Sequence, residues 1–171
     1  MTLEQLNTLS VPGARQWFSQ ACAAKSWISM MVEHRPYSSQ QQLIQHAEQH
    51  WQKMQKSDYL EAFAAHPMIG DFKALYDTDE AFLQHSAHEQ QQAATANGAT
   101  LQALKTLNQA YLKKHGFIFI VFAKGMSADT LLQQMQSRLK NPTETEMAIA
   151  AQHQIDITLS RIHSNLKVDD A

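Results

Sequence analysis

Apolar residues recur at helical spacing along almost the whole chain. Leu3 and Leu6 mark a short first helix over Thr2 to Leu9, closed by Ser10-Val11-Pro12-Gly13. A second helix, starting near Pro12, carries Trp17, Phe18 and Cys22, and a third sets Trp27, Ile28, Met31 and Val32 on one face. Glu33 to Ser39 has no such stripe and contains Pro36, so it reads as a break, with Ser38 or Ser39 as the N-cap of a helix through Leu43, Ile44, Ala47 and Trp51. A further pattern runs through Tyr59-Leu60-Glu61-Ala62-Phe63 and stops at His66-Pro67. Asp77-Thr78-Asp79-Glu80 would start a helix with acids at its positive end, bringing Phe82, Ser86, Glu89, Gln90 and Ala93. After Asn97-Gly98, the residues Leu101, Leu104, Leu107, Asn108 and Tyr111 lie on a helix stopped by Lys113-Lys114-His115-Gly116. Ser127 opens a helix with Leu131, Leu132, Met135 and Leu139 facing inward, ended by Asn141-Pro142. Thr143-Glu144-Thr145-Glu146 reads as a capping box for a last long helix burying Met147, Ile149, Ala150, Ile155, Leu159 and Ile162.

One stretch departs from this periodicity. Phe117-Ile118-Phe119-Ile120-Val121-Phe122-Ala123 is a continuous run of β-branched and aromatic residues, which prefer extended backbone. No second run exists to pair with it. Its N–H and C=O groups therefore need other partners, either side chains of the surrounding helices with water or a bound polar ligand. The pattern predicts an all-α, single-domain helical bundle over residues 1–171 with one short buried extended segment.

The totals narrow the partners. At 171 residues the chain is long enough for a substantial core, and 44% hydrophobic with 18% charged residues fits a globular protein. The formal charge of −2 and the absence of a long basic run argue against nucleic acid or an anionic membrane as a partner. Cys22 is the only cysteine, which excludes an intrachain disulfide and a multi-cysteine metal site, and reads as a small apolar residue among alanines. No stretch approaches the ~18 apolar residues of a membrane span, so the expected location is the cytoplasm.

Candidate chemistry begins at His66. A residue before proline is pushed out of the α region, so His66 should stand at a helix end with Gly70 allowing a sharp turn and Ile69 an apolar wall. Imidazole has an ordinary pKa of about 6.5, suited to giving or taking a proton near neutrality. Nine histidines are present, most of them expected at solvated surfaces or helix ends. His46 and His50 share a helix face, but Ala47 displaces the glutamate from its place in the zinc-protease pattern, and no third ligand is evident. They read as solvated. Ser86 and Glu89 also share a face, at the spacing of a capping box, and Arg161 borders the apolar stripe of the last helix, where a surface arginine with a buried stem is the ordinary reading.

Taken in order, His66-Pro67-x-Ile69-Gly70, Ser86-x-x-Glu89-Gln90-x-x-Ala93, Tyr111-x-x-Lys114-x-Gly116-Phe117-x-Phe119-Ile120 and the late Arg161 resemble the 2-oxo-4-hydroxy-4-carboxy-5-ureidoimidazoline (OHCU) decarboxylase family. Arg35-Pro36-Tyr37-Ser38 is similar to that family's Arg-Pro-aromatic-Ser element, and the resemblance runs from about Val11 to Leu166. His115 departs from it, standing where related sequences often have phenylalanine. The resemblance implies an all-α fold, commonly a homodimer, and the third step of the route from urate to allantoin. It implies His66 as the essential acid/base, Glu89 as a catalytic carboxylate and Arg161 as a cationic substrate contact. Pro67, Ser86, Gln90 and the backbone of Phe119, Ile120, Val121, Phe122 and Ala123 would line the pocket.

The implied reaction needs no cofactor and no metal, because the electrons left by departing CO2 are held by the imidazoline C=N and carbonyl system of the substrate itself. Arginine can hold an anionic oxygen through a two-pronged hydrogen bond, and a histidine on one face can deliver the proton stereospecifically. Two other classes predict different things. A helical interaction module predicts that His66, Glu89 and Arg161 do not converge, and a metal-dependent hydrolase using His85, His88 and a carboxylate predicts bound metal and sensitivity to chelator.

Overall fold

Side-chain oxygens start most of the helices. In α1 (Leu3–Thr8), Thr2 accepts from the Gln5 N–H while the Gln5 amide reaches back to Thr2, a complete capping box. Ser10 caps α2 (Val11–Ser19), Ser39 caps α4 (Gln40–Trp51) and Ser127 caps α7 (Ala128–Arg138), each accepting from a first-turn N–H. For α3 (Lys25–Glu33), Ala24 offers no side-chain cap, and Glu61 substitutes by accepting from the Lys25 N–H at 3.0 Å. The others are α5 (Lys56–Ala64), α6 (Gly98–His115) and α8 (Thr143–Asn165). The computed structural model describes residues 1–69 and 98–167, and these are all helix, turn or irregular backbone. The expected all-α class is what the described residues show.

Contacts gather the chain into two compact units, Met1–Ala62 with Ile155–Ala171, and Phe63–Gln154. The first is built on aromatic packing. Phe18 meets Trp17 and Trp27 edge-on at 5.0 and 5.9 Å, and the Trp27 indole donates to the Ala47 carbonyl at 3.0 Å, tying α3 to α4. The Arg-Pro-Tyr-Ser element seats α1. Arg35 donates to the Leu6 and Leu9 carbonyls at 2.9 and 2.8 Å, and Asn7 exchanges two hydrogen bonds with the Tyr37 backbone. The Tyr37 hydroxyl donates to the Met31 carbonyl at 2.6 Å.

Cys22 lies beyond α2, not on it, because the helix ends at Ser19. The Ala21 carbonyl is drawn instead toward Thr158 and Arg161 on α8, which reach it at 3.5 and 3.4 Å. The thiol is buried, and burial pushes its pKa up to about 11.

The second unit is organised by an ionic network centred on a buried carboxylate. Glu146 is 0% exposed and accepts from Tyr111, from Arg138 Nε at 3.0 Å and from Asn141 at 2.7 Å, with Arg138 Nη2 2.9 Å away. Burial alone would raise its carboxyl pKa, but the hydrogen bonds from Tyr111, Arg138 and Asn141 outweigh it and hold the group below the ordinary value. The capping box expected from Thr143 to Glu146 is therefore not made. α8 begins at Thr143 itself, Glu146 points into the core, and the Thr143 hydroxyl pairs with His115 Nδ1 at 3.0 Å. His115 is buried and packs as an aromatic, its ring 4.4 Å from Tyr111 and 6.0 Å from Phe117.

Candidate active site

His66 stands where its neighbour Pro67 puts it. α5 ends at Ala64, and the His66 N–H closes the last turn on the Phe63 carbonyl at 3.1 Å. Its half-buried ring meets Gln154 of α8, Nε2 to Oε1 at 2.7 Å. With an amide oxygen opposite, Nε2 is the donor in this pair. Gln154 is fully buried, which fixes the amide and through it the imidazole plane. Two residues on, the Ile69 carbonyl accepts from buried Asn108 of α6 at 2.7 Å, pinning the far side of the turn. A cavity of about 190 Å³ beside it is lined by Met68, Ile69, Lys105, Asn108 and Gln109, and His66 is not among its walls.

The apolar segment 117–123 is irregular, as its lack of a partner run predicts, with Phe117, Phe119, Ile120, Val121 and Ala123 buried and Phe122 half-buried. Side chains satisfy part of its backbone. Arg138 donates to the Ile120 carbonyl at 2.8 Å, its guanidinium lying 4.3 Å over the Phe119 ring, and the Phe122 N–H donates to His153 Nδ1 at 3.2 Å. His153 and Gln154 are consecutive on α8. Two parts of the expected site, the histidine and the apolar segment, thus hang from adjacent residues of one helix.

Arg161 belongs to the other unit. It is 1% exposed, so the reading as a surface arginine is overturned; the stripe of α8 carries it inward, where Nη1 reaches the Ala21 carbonyl. Ser86, Glu89 and Gln90 lie outside the described residues, as do Gly70 and the pair His85 and His88.

Sequence reasoning passed over Gln154 and His153, and named Asn108 only as a residue of its helix. A signal for the first was present: Gln154 and Thr158 follow Ala150 at intervals of four, polar groups on the buried face of an amphipathic helix, and such groups need partners.

Comparison with known proteins places the chain in one family. The chain is 32% identical over 151 residues to the uric acid degradation bifunctional protein TTL of Arabidopsis thaliana, covering 88% of this chain and 46% of that one. It thus spans about half the length of that curated relative. It is 24% identical over 151 residues to a 2-oxo-4-hydroxy-4-carboxy-5-ureidoimidazoline decarboxylase of Haloferax volcanii, covering 88% and 87% of the two chains. Among solved structures, an OHCU decarboxylase crystallised in the presence of (S)-allantoin superposes with a TM-score of 0.74 at 29% identity, covering 89% of this chain and 97% of that one. Residues 7–163 match the OHCU decarboxylase family, and this chain belongs to it.

Proposed function

We propose that this chain, as one OHCU decarboxylase-like domain over residues 1–171, is a carboxy-lyase that converts OHCU to (S)-allantoin without a cofactor, in the cytoplasm and as a homodimer. The observation that carries the reading is the anchoring of His66 to buried Gln154, in the same helix whose preceding residue holds the segment around Phe122. An imidazole with one nitrogen engaged by a fixed amide has one orientation, which is what protonation from a single face requires. Family membership supplies the substrate class.

In this reading Arg161 holds an anionic oxygen of the substrate, and Glu89 accepts from its hydroxyl or ureido N–H groups. CO2 leaves as its bonding electrons pass into the imidazoline C=N and carbonyl system. His66 then donates a proton to the neighbouring ureido-bearing carbon, while the carbon that lost CO2 becomes the ring carbonyl as its hydroxyl proton passes, by way of Glu89, to the former imine nitrogen. Pro67, Ser86, Gln90 and Phe119 to Ala123 line the pocket. The partner is a small molecule, not nucleic acid or membrane; among the described residues no helix is long and apolar enough to cross a bilayer.

The test uses OHCU made freshly from urate by the two upstream activities, with chelator present, and follows the circular dichroism of forming allantoin. A fast dichroic signal from wild type, absent in folded His66→Ala, is the expected result. Slow racemic product from both proteins refutes the assignment, and loss of activity on chelation favours the metal-dependent hydrolase.

A further inference from the structure

The first unit contains a cluster of imidazoles that the proposed decarboxylation does not use. His34, at the C-cap of α3, is brought against His46 and His50 of α4. The ring centroids lie 4.8, 4.4 and 5.4 Å apart, and one nitrogen from each of the three lies within 4.8 Å of the other two. The third ligand that the spacing of His46 and His50 lacked comes from the preceding helix. His50, expected to be solvated, is 1% exposed, and neither of its ring nitrogens has a hydrogen-bond partner among the described residues; nor has Nδ1 of His46. A buried polar group left unpaired costs about 1–3 kcal/mol, so such nitrogens call for a physical explanation.

We propose that His34, His46 and His50 form a binding site for a divalent first-row transition ion of the imidazole-preferring class, of which zinc is the representative. Neutral imidazole is the ligand form, and burial disfavours the charged form of both His50 and His46. His34 Nδ1 lies 3.0 Å from the Met30 carbonyl, to which it donates, leaving Nε2 to face the ion. This is the outer hydrogen bond that commonly orients a metal-binding imidazole. A tetrahedral ion bound at about 2.0–2.1 Å sets its nitrogens about 3.3 Å apart, so the widest gap must close by about 1.5 Å. His34 is solvent-exposed and can supply that movement by side-chain rotation. The fourth position is left to water, and the bound ion would clamp the end of α3 onto α4.

The test uses untagged full-length protein, stripped with chelator and dialysed, and titrated with Zn2+ alone in a calorimeter and with Co2+ alone in a spectrophotometer. Wild type is expected to take up one equivalent, with the visible bands of a four-coordinate, nitrogen-ligated cobalt. His34→Ala changes an exposed side chain and His46→Ala a partly exposed one; each removes a ligand and is expected to weaken binding at least about 100-fold, since even outer-shell changes cost 10–100-fold. Added Zn2+ is expected to raise the melting temperature of wild type and not of either variant. Absence of stoichiometric binding to wild type, or equal binding by both folded variants, overturns the site. Because uptake, spectrum and melting are read without substrate, failure here leaves the decarboxylase reading intact.

Discussion

Replacing Arg138 by methionine isolates the energetic centre of the second unit. Methionine keeps much of the apolar stem over Phe119, and removes the charge. Glu146, fully buried, would lose the Nε hydrogen bond and the Nη2 contact at 3.0 and 2.9 Å, keeping Tyr111 and Asn141, and the Ile120 carbonyl would lose its 2.8 Å donor. Removing one partner of a buried ion pair costs about 3–5 kcal/mol, and an orphaned carbonyl about 1–3 kcal/mol. The retained stem and relaxation offset part of this, so a loss of about 4 kcal/mol is expected at pH 7. Against a total stability of about 5–15 kcal/mol, that is a large fraction. The pH dependence is diagnostic. The wild-type Glu146 carboxyl is held below its ordinary value, so its contribution is present above the unfolded pKa and lost as pH falls through the folded one. In the variant burial prevails and the pKa rises, so the carboxyl takes up its proton while wild type is still ionised. The stability gap should narrow on acidification, by about 1.4 kcal/mol for each unit separating the two folded pKa values. Urea unfolding followed by far-ultraviolet circular dichroism at pH 7 and in mild acid measures it. A loss under about 1 kcal/mol, or a gap that stays constant with pH, would refute the reasoning.

Gln154→Leu removes the hold on His66 while leaving the imidazole in place. Under the proposed mechanism Gln154 positions His66, so decarboxylation kinetics should show kcat lowered about 10- to 100-fold with KM nearly unchanged, misplacement of a catalytic group being costly at this level; a change in KM alone would contradict the role. Arg35→Ala deprives the end of α1 of two carbonyl contacts and should destabilise by about 1–3 kcal/mol. Tryptophan fluorescence is the fitting probe, since Trp17, Trp27 and Trp51 all belong to the first unit. Cys22, buried and with its pKa pushed up to about 11, should resist a thiol reagent in native protein at pH 8 and react with one equivalent in urea; stoichiometric native labelling would contradict its burial.

What the sequence disclosed depended on whether a signal was local. The helix starts at Ser39 and Ser127 rest on contacts three residues long, so they were legible in the neighbouring letters, whereas Thr2 and Ser10, read as the body and the close of the first helix, are N-caps. His66 at a helix end follows from Pro67 alone. Glu146 shows the opposite case: Thr-x-x-Glu spells a cap, but a carboxylate that finds Arg138, Tyr111 and Asn141 gains more by turning inward. The family resemblance singled out Arg161, yet its burial was not legible, because an arginine beside leucine and isoleucine fits either side of a stripe. The pairing of His34 with His46 and His50 depends on how α3 meets α4, which no spacing within one helix reports. Gln154 had a signal in its register, but the identity of its partner did not.

The run from Phe117 to Ala123 has seven apolar residues, no charge and no proline, the composition of a segment prone to stack into cross-β aggregates. Its safety in the folded chain rests on single donors and acceptors, Arg138 at the Ile120 carbonyl and His153 at the Phe122 N–H, which occupy groups that another strand would otherwise pair with. Lys113, Lys114 and Lys124 flank it as charged gatekeepers. The same side chains that give the segment its local shape therefore also keep two of its backbone groups from pairing with another strand.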